Sequence, residues 1–162
     1  MISLTVSGAR GRMGSRILSL AFSDNTFNVV GALEREGHPD LGKDIGQLLG
    51  LGARKVLLSS DAAKALQASD VLIEFSSPEA TLSHLALAAP FKKAVVIGTT
   101  GLTMEAMKEV QAASRNMPVL ISPNMSVGVN LLFELVSDAA RRLPDYEVEI
   151  VETHHRHKKD AP

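Results

Sequence analysis

The sequence contains no cysteine, no long apolar run and no excess of charge of one sign. Without cysteine the chain cannot form disulfides, thiolate metal sites or thiol nucleophiles, and this composition fits a reducing cytoplasm. Its 17 basic and 18 acidic residues give a formal net charge of −1, whereas nucleic-acid and membrane-surface partners require a strong basic field. No apolar run approaches the roughly twenty residues of a membrane-spanning helix.

The N-terminus, Met1 to Val6, reads as a strand and lacks the basic, apolar and small-residue regions of a signal peptide. The chain has 162 residues, 45% of them hydrophobic, which is enough to form one globular domain. It shows no internal repeat and no low-complexity tract. We therefore expect a cytoplasmic globular protein with no nucleic-acid and no membrane partner.

A glycine-rich turn follows the first apolar strand and opens a helix. Gly8, Gly11 and Gly14 allow a tight turn and a close approach of the backbone to a ligand, and the helix N-terminus favours an anion. The spacing is Gly-x-x-Gly-x-x-Gly, so Arg10 stands where the usual dinucleotide fingerprint has its second glycine. The stretch predicts a pyrophosphate site, with a tight turn that binds no ligand as the alternative.

A charged pair follows the second apolar run, Phe27 to Leu33. In a strand-helix-strand unit this position lies beside the end of the first strand, so Glu34 can accept hydrogen bonds from the adenosine ribose hydroxyls. The Arg35 guanidinium would hold a 2′-phosphate. The pair thus suggests that the site accepts both NADH and NADPH, and a solvated charge pair at a strand end is the alternative.

Beyond this unit, short apolar strands alternate with capped helices. The predicted strands are Lys55–Leu58, Asp70–Phe75, Ala94–Ile97 and Met117–Ser122, and the predicted helices are 61–68, one that begins at the Ser77 cap, one from the Thr103 cap to about Arg115, and 129–143. The glycine-rich segment 36–52 is predicted to be a surface excursion with one short helical turn. This alternation predicts an α/β fold with a parallel, doubly wound sheet of Rossmann type and right-handed crossovers.

In such a sheet the ligand lies across the carboxyl ends of the strands. The loops that follow the strands should therefore converge on one rim, and several carry hydroxyl or amide groups suited to a ribose or a nicotinamide carboxamide. Ordinary turn chemistry is the alternative for each loop taken alone. The loops are 8–14, Glu34–Arg35, Ser76–Ser77, Gly98–Thr100 and Ser122–Met125.

The C-terminal segment from Tyr146 to His155 alternates like a strand and runs into a group of histidines and cations, Arg156-His157-Lys158-Lys159. Because successive strand side chains point to opposite faces, His154 and His155 cannot do the same job if the strand extends that far. A charged tail, a histidine metal site and an anion pocket are the open interpretations. The spacing matches no zinc motif, so we predict no metal.

Taken together, the motifs resemble the 4-hydroxy-tetrahydrodipicolinate reductase family, also known as the dihydrodipicolinate reductases. The resemblance implies an NADH- or NADPH-dependent oxidoreductase that reduces a cyclic dicarboxylate to tetrahydrodipicolinate with loss of water, in lysine and diaminopimelate biosynthesis. The motifs are Gly8-x-x-Gly11-Arg12-Met13-Gly14, Glu34-Arg35, Gly98-Thr99-Thr100-Gly101, Asn124-x-Ser126-x-Gly128-Val129-Asn130 and Glu152-x-His154-His155-x-x-Lys158-x-Asp160-Ala161-Pro162.

The resemblance also implies roles for single residues. His154 and Lys158 would transfer protons, and His155 would contact the substrate. A dianionic substrate would draw a proton onto the His154 imidazole, which would then supply the proton that accompanies hydride addition. The implied cofactor site consists of Gly8, Ala9, Arg10, Gly11, Arg12, Met13, Glu34, Arg35, Gly98, Thr99, Thr100, Ser122, Pro123, Asn124 and Met125.

In the family, Asp-Ala-Pro is followed by Ser-Gly-Thr and by the rest of a second α+β domain that binds substrate and forms a homotetramer, whereas this sequence stops at Pro162. The resemblance thus implies a dinucleotide-binding domain over residues 1–125, and a connecting helix and first strand of a largely missing substrate domain over 126–162. We expect this form to bind nucleotide weakly and to turn over little. Another nicotinamide-dependent dehydrogenase and a non-catalytic NADP(H)-binding domain are the alternatives.

Overall fold

The computed structural model describes residues 1–151 and 153, and the chain divides into two compact units, Met1–Pro123 and Asn124–Pro162. The first unit carries a parallel sheet with helices on both faces, and the second contains one long helix among its described residues. Within the part of the chain that is described, no helix is both long enough and apolar enough to cross a bilayer.

The first unit is built on six parallel strands in the spatial order β3-β2-β1-β4-β5-β6. From the central β1 the chain runs outward to β3, crosses back to place β4 on the other side of β1, and continues outward to β6. The predicted doubly wound parallel sheet is confirmed, and its strand order reverses between β1 and β4. The strands are β1 Ile2–Ser7, β2 Phe27–Leu33, β3 Leu58–Ser59, β4 Val71–Glu74, β5 Ala94–Ile97 and β6 Val119–Ile121.

Side-chain caps fix where most of the helices begin. Asp61, Ser77 and Thr103 each accept a hydrogen bond from the backbone N–H three residues later, which satisfies a donor that the helix itself leaves unpaired. These starts agree with the predicted caps. The helices of this unit are α1 Arg12–Ala21, α2 Ile45–Leu48, α3 Ala62–Ala68, α4 Pro78–Ala88 and α5 Met104–Ser114, and a 3₁₀ turn, Ala89–Phe91, follows α4.

Two apolar clusters hold these helices against the sheet. One packs Leu18 of α1 and Ile45 of α2 against β1, β2 and β3, and the other packs α3, α4 and α5 against β4 and β5. Alternation along the strands separates the clusters, since Leu72 of β4 belongs to one and its neighbour Ile73 packs against the other. Burying a leucine fully contributes about 1.5–3 kcal/mol, so the clusters fix the helix positions.

The third strand lies later in the chain than the predicted Lys55–Leu58. Lys55 has a φ of 59°, in the left-handed region, and a residue in that conformation does not continue a strand. Pairing with β2 instead begins at Leu58, which lies opposite Ala32. The neighbouring glycine-rich segment contains the predicted helical turn as α2, but Ile45 of that turn is buried in the core rather than on the surface.

The second unit is dominated by the helix α6, Val127–Arg142, which Ser126 caps through the N–H of Val129. Its apolar side chains are about half exposed among the described residues, for example Leu132 at 55% and Phe133 at 53%. The strand predicted from Tyr146 to His155 does not form over 146–151 and 153, because a strand requires a paired neighbour and no described residue pairs with this segment. His154 and His155 lie outside the described residues.

Candidate functional site

A cleft of about 610 Å³ opens at the carboxyl ends of β1, β2 and β4 in the first unit. It lies beside the point where the strand order reverses, which is where doubly wound sheets bind their ligands. The lining combines backbone of the glycine-rich turn with charged, hydroxyl and imidazole side chains. These residues are Ser7, Gly8, Gly11, Glu34, Arg35, Glu36, Ser60, Phe75, Ser76, Ser77, Ala80 and His84.

The glycine-rich turn closes against the loop that follows β4. Gly8 has a φ of 71°, and a Cβ atom at this position would overlap the carbonyl oxygen of Phe75. A Cβ atom on Gly14 would overlap the carbonyl oxygen of Gly8. Side chains at either position would therefore push the turn away from its neighbours, so both glycines are needed for the narrow opening between β1 and β4.

The first turn of α1 faces this opening without a polar cap. Gly11 is the N-cap residue and supplies no side-chain hydrogen bond, and the first turn contains no acidic residue. Helix N-termini with unpaired N–H groups carry a partial positive charge and bind phosphate oxygens. The close approach of backbone at Gly8 and the uncapped start of α1 together fit a pyrophosphate.

Glu34 directly follows β2, as predicted, and is hydrogen-bonded to the glycine-rich turn. Its Oε1 accepts a hydrogen bond from the N–H of Arg10 at 3.0 Å, and its Oε2 accepts one from the N–H of Arg35 at 3.3 Å. A carboxylate accepts more than two hydrogen bonds, so these contacts orient Glu34 and leave acceptor capacity for ribose hydroxyls. Both Glu34 and Arg35 line the cleft.

The Arg10 side chain is directed to groups outside the cleft lining. Its Nη1 donates to the carbonyl oxygen of Leu48 at 3.3 Å, and its Nε lies 3.3 Å from Oδ2 of Asp40. A hydrogen bond from Lys43 lowers the pKa of the Asp40 carboxyl, and the charges of Lys43 and Arg10 act in the same direction. Arg10 therefore contributes its backbone to the turn, while its guanidinium anchors the glycine-rich segment that follows β2.

A buried acid and a histidine form a network in the cleft wall that the sequence analysis missed. Glu74 ends β4 with a fully buried side chain, and its Oε2 lies 2.6 Å from Nδ1 of His84 on α4. The Ser76 hydroxyl donates to Oε1 of Glu74, and Ser7 Oγ lies 3.4 Å from the same imidazole nitrogen. A charged residue inside the apolar run Val71 to Phe75 was the available signal, since an unpaired buried carboxylate is costly.

The loop after β5 is joined to this network through hydroxyl groups. Thr99 is buried, and its Oγ1 accepts hydrogen bonds from the N–H of Ser76 at 3.2 Å and from the Thr81 hydroxyl at 3.0 Å. Gly98 lies against the ring of Phe75, where a side chain would not fit, and Thr100 is exposed. The Thr99 hydroxyl therefore ties the loops after β4 and β5 together.

The remaining predicted site residues are spread along the chain. Ala9 is buried behind the turn, where its N–H donates to Leu33, and Arg12 and Met13 are exposed on the first turn of α1. Ser122 follows β6, and its N–H donates to the carbonyl oxygen of Ile97 at 3.2 Å. Pro123 ends the first unit, Asn124 and Met125 begin the second, and His154, His155 and Lys158 lie outside the described residues.

Over residues 1–151 and 153, no three histidine, aspartate or glutamate side chains are grouped as metal ligands. What the described residues do bring together is a glycine-rich turn with an uncapped helix start, a carboxylate directly after β2 and a cleft at the reversal of strand order. The fold and this cleft define the class as a doubly wound, Rossmann-type nucleotide-binding domain.

Family comparisons narrow this class. Residues 2–125 match the family model described as dihydrodipicolinate reductase, N-terminus, and residues 128–162 match the model of its C-terminus. The chain therefore belongs to the dihydrodipicolinate reductase family. The 4-hydroxy-tetrahydrodipicolinate reductase of Anaeromyxobacter dehalogenans is 50% identical over the whole chain, and that of Syntrophus aciditrophicus is 43% identical. The chain spans 60% and 61% of the length of these two relatives.

Solved structures agree with the family assignment. A dipicolinate-bound dihydrodipicolinate reductase from Paenisporosarcina sp. TG-14 superposes over 100% of this chain and 61% of its own, with a TM-score of 0.76 and 26% identity. An amine dehydrogenase from Mycobacterium smegmatis matches 74% of this chain and 38% of its own, with a TM-score of 0.61 and 25% identity. The resemblance predicted from the sequence motifs is confirmed at the level of the family.

Proposed function

We propose that the protein containing this chain is an NADH- or NADPH-dependent 4-hydroxy-tetrahydrodipicolinate reductase. One observation carries the proposal: the whole chain matches relatives of that name. The cleft at the reversal of strand order supports it. The reaction consumes 4-hydroxy-tetrahydrodipicolinate, the reduced nicotinamide cofactor and one proton, and yields tetrahydrodipicolinate, the oxidised cofactor and water. In this proposal the cofactor supplies the hydride.

The lining of the cleft supports a set of proposed cofactor contacts. Gly8 to Met13 hold the pyrophosphate through the close approach of the backbone at Gly8 and through the start of α1, as the overlaps at Gly8 and Gly14 support. Glu34 binds the adenosine ribose, and Arg35 beside it neutralises a 2′-phosphate when NADPH is bound. We assign the nicotinamide end of the site to Gly98, Thr99, Thr100 and the segment Ser122–Met125.

The proton chemistry is proposed for the C-terminal segment. His154 protonates on binding of the dicarboxylate and supplies the proton that accompanies hydride addition, Lys158 assists this proton transfer, and His155 contacts a substrate carboxylate. The division of labour between residues 1–125 for the cofactor and 126–162 for the start of the substrate domain belongs to the same proposal. So do a homotetrameric assembly and a cytoplasmic location.

The experiment is a turnover assay on the complete protein with His154→Gln and the matched control His157→Gln. Loss of a general acid or base lowers the rate typically by 10²–10⁴-fold, so we expect His154→Gln to reduce kcat by about that factor. The control makes the same chemical change three residues away and is expected to leave kcat within about twofold. Oxidation of the cofactor is followed by its absorbance.

Two results would contradict the proposal. A His154→Gln protein with an unchanged maximal rate and pH profile would remove the role of His154. A complete protein that binds NADH or NADPH but never oxidises it with 4-hydroxy-tetrahydrodipicolinate would favour a non-catalytic nucleotide-binding domain.

A further inference from the structure

Glu74 and His84 are ionisable groups in the cleft wall that the proposed cofactor contacts leave unused. Glu74 is fully buried, and burying a carboxylate costs free energy unless hydrogen bonds or charges compensate. Here the compensation comes from the Ser76 hydroxyl on Oε1 and from the His84 ring on Oε2. These hydrogen bonds hold Glu74 and His84 in fixed positions in the cleft wall.

The geometry of the pair selects the atom that His84 offers to the cleft. The 2.6 Å contact with Oε2 of Glu74 occupies Nδ1 of the imidazole. The other ring nitrogen, Nε2, is left for a ligand, since no group in the described part of the chain bonds to it. His84 lines the cleft with 16% of its side chain accessible.

The position of the ring indicates which part of a dinucleotide it meets. Ser7, which lies 3.4 Å from Nδ1, is the last residue of β1 and directly precedes the glycine-rich turn. A dinucleotide crosses the sheet at this point, with its adenosine half on the side of β2 and Glu34 and its other half on the side of β4. His84, on the helix after β4, therefore lies on the side of the second half.

We propose that His84 binds the ribose of the nicotinamide half through a hydrogen bond between Nε2 and a ribose hydroxyl. Glu74 is the positioning residue, because its carboxylate holds the ring through Nδ1. The two riboses of the cofactor are then recognised on opposite sides of the turn, one by Glu34 and the other by His84. This inference rests on the proposed nucleotide function.

The test compares three ligands that differ in the second ribose: NADH, ADP-ribose and ADP. The variant is His84→Asn, since an asparagine amide reaches the Nδ1 position and donates to Glu74 but has no atom at the Nε2 position. Loss of one hydrogen bond predicts about a tenfold weaker Kd for NADH and ADP-ribose, with the Kd for ADP unchanged. His38→Asn, outside the cleft lining, is the matched control and should change none of the three.

The outcomes separate this inference from the proposed function. If the unsubstituted protein binds neither ADP nor NADH, the proposed function fails. If the unsubstituted protein binds both ligands, two results would show that only the role of His84 is wrong. In one, His84→Asn binds NADH as tightly as the unsubstituted protein. In the other, His84→Asn loses as much affinity for ADP as for NADH. Thermal unfolding of each variant identifies a folding defect.

A second measurement needs no substitution. In the ¹⁵N NMR spectrum of the unsubstituted protein, the Nε2 resonance of His84 should shift on addition of ADP-ribose and stay in place on addition of ADP. Glu74→Gln should reduce this response, because the amide binds the ring less firmly than the carboxylate and so positions Nε2 less well. An Nε2 resonance that does not shift on addition of ADP-ribose would overturn the inference.

Discussion

Gly8 shows how one residue without a side chain sets the width of the cleft. Its φ of 71° and its approach to the carbonyl oxygen of Phe75 bring the end of β1 against the loop after β4. Alanine in the left-handed region costs about 1–2 kcal/mol, and the overlap with a backbone carbonyl adds to this because neither partner is a flexible side chain. We therefore expect nucleotide binding to depend on Gly8 in two ways, through its backbone conformation and through the absence of a side chain next to the carbonyl of Phe75.

Gly8→Ala is expected to lower the stability of the first unit by more than the conformational cost alone and to weaken nucleotide binding at least about tenfold. Gly42→Ala is the matched control, because Gly42 has a φ of 81° and nothing within 4 Å of its Cβ position. Urea unfolding and NADH titration check both variants. Equal losses in the two variants would show that the contact with Phe75 has no effect of its own.

The residues of the site differ in how far the sequence reveals them. The place of Gly8, Gly11 and Glu34 in the cleft lining was predictable because their spacing is local, and their cofactor contacts stay proposals. The pair of Glu74 and His84 was not, since one lies on a strand and the other on a helix, and only the packing of α4 against the sheet brings them to 2.6 Å. His154, His155 and Lys158 stay predictions.

At the scale of elements, short polar side chains decide where helices begin and how the connecting segments close. Asp44 illustrates this, because one carboxylate caps α2 through the N–H of Gln47 and also accepts from the N–H groups of Arg54 and Lys55. These backbone hydrogen bonds, that of Arg54 first, lower the pKa of Asp44 below its ordinary value of 3.8. The ionised side chain thus stabilises the segment between β2 and β3.

Asp44→Asn is expected to lower the urea midpoint at pH 7, since an amide cannot accept on both of its terminal atoms. A lowered pKa in the folded state means that the stabilisation is present above pH 3.8 and is lost as the pH falls through the lowered value. The difference between the two proteins should therefore shrink from pH 7 to pH 3. A difference that stays constant over this range would contradict the role of the ionised carboxylate.

Element positions were predictable where a local signal exists. Ala94–Ile97 coincides with β5, and the caps at Ser77 and Thr103 mark α4 and α5, because apolar runs and capping residues act over a few positions. The start of β3 was not predictable, since it depends on which residue pairs with Ala32 and on the left-handed conformation of Lys55. The segment from Tyr146 shows the same limit, because alternation alone supplies no partner strand.

At the scale of the whole molecule, the sheet should be most stable at its centre. β1 pairs with β2 on one side and β4 on the other, whereas β3 and β6 each pair with one strand. We expect backbone amides of Leu4 to Val6 to exchange with deuterium at least about tenfold more slowly than those of β6, because opening them disrupts two ladders. Hydrogen exchange followed by mass spectrometry measures this, and equal rates in β1 and β6 would contradict it.

The order of the strands also has a consequence for biosynthesis on the ribosome. The N–H of Ser3 donates to the Asp70 side chain across 67 positions of sequence, so the partner of the first strand on that side is synthesised much later. Closing so long a loop costs conformational entropy before the contacts that compensate for this cost have formed. A nascent chain of which only β1 and β2 have emerged from the ribosome has the glycine-rich turn but lacks the opposite wall of the cleft. We therefore expect it to acquire affinity for nucleotide only after β4 has emerged from the exit tunnel.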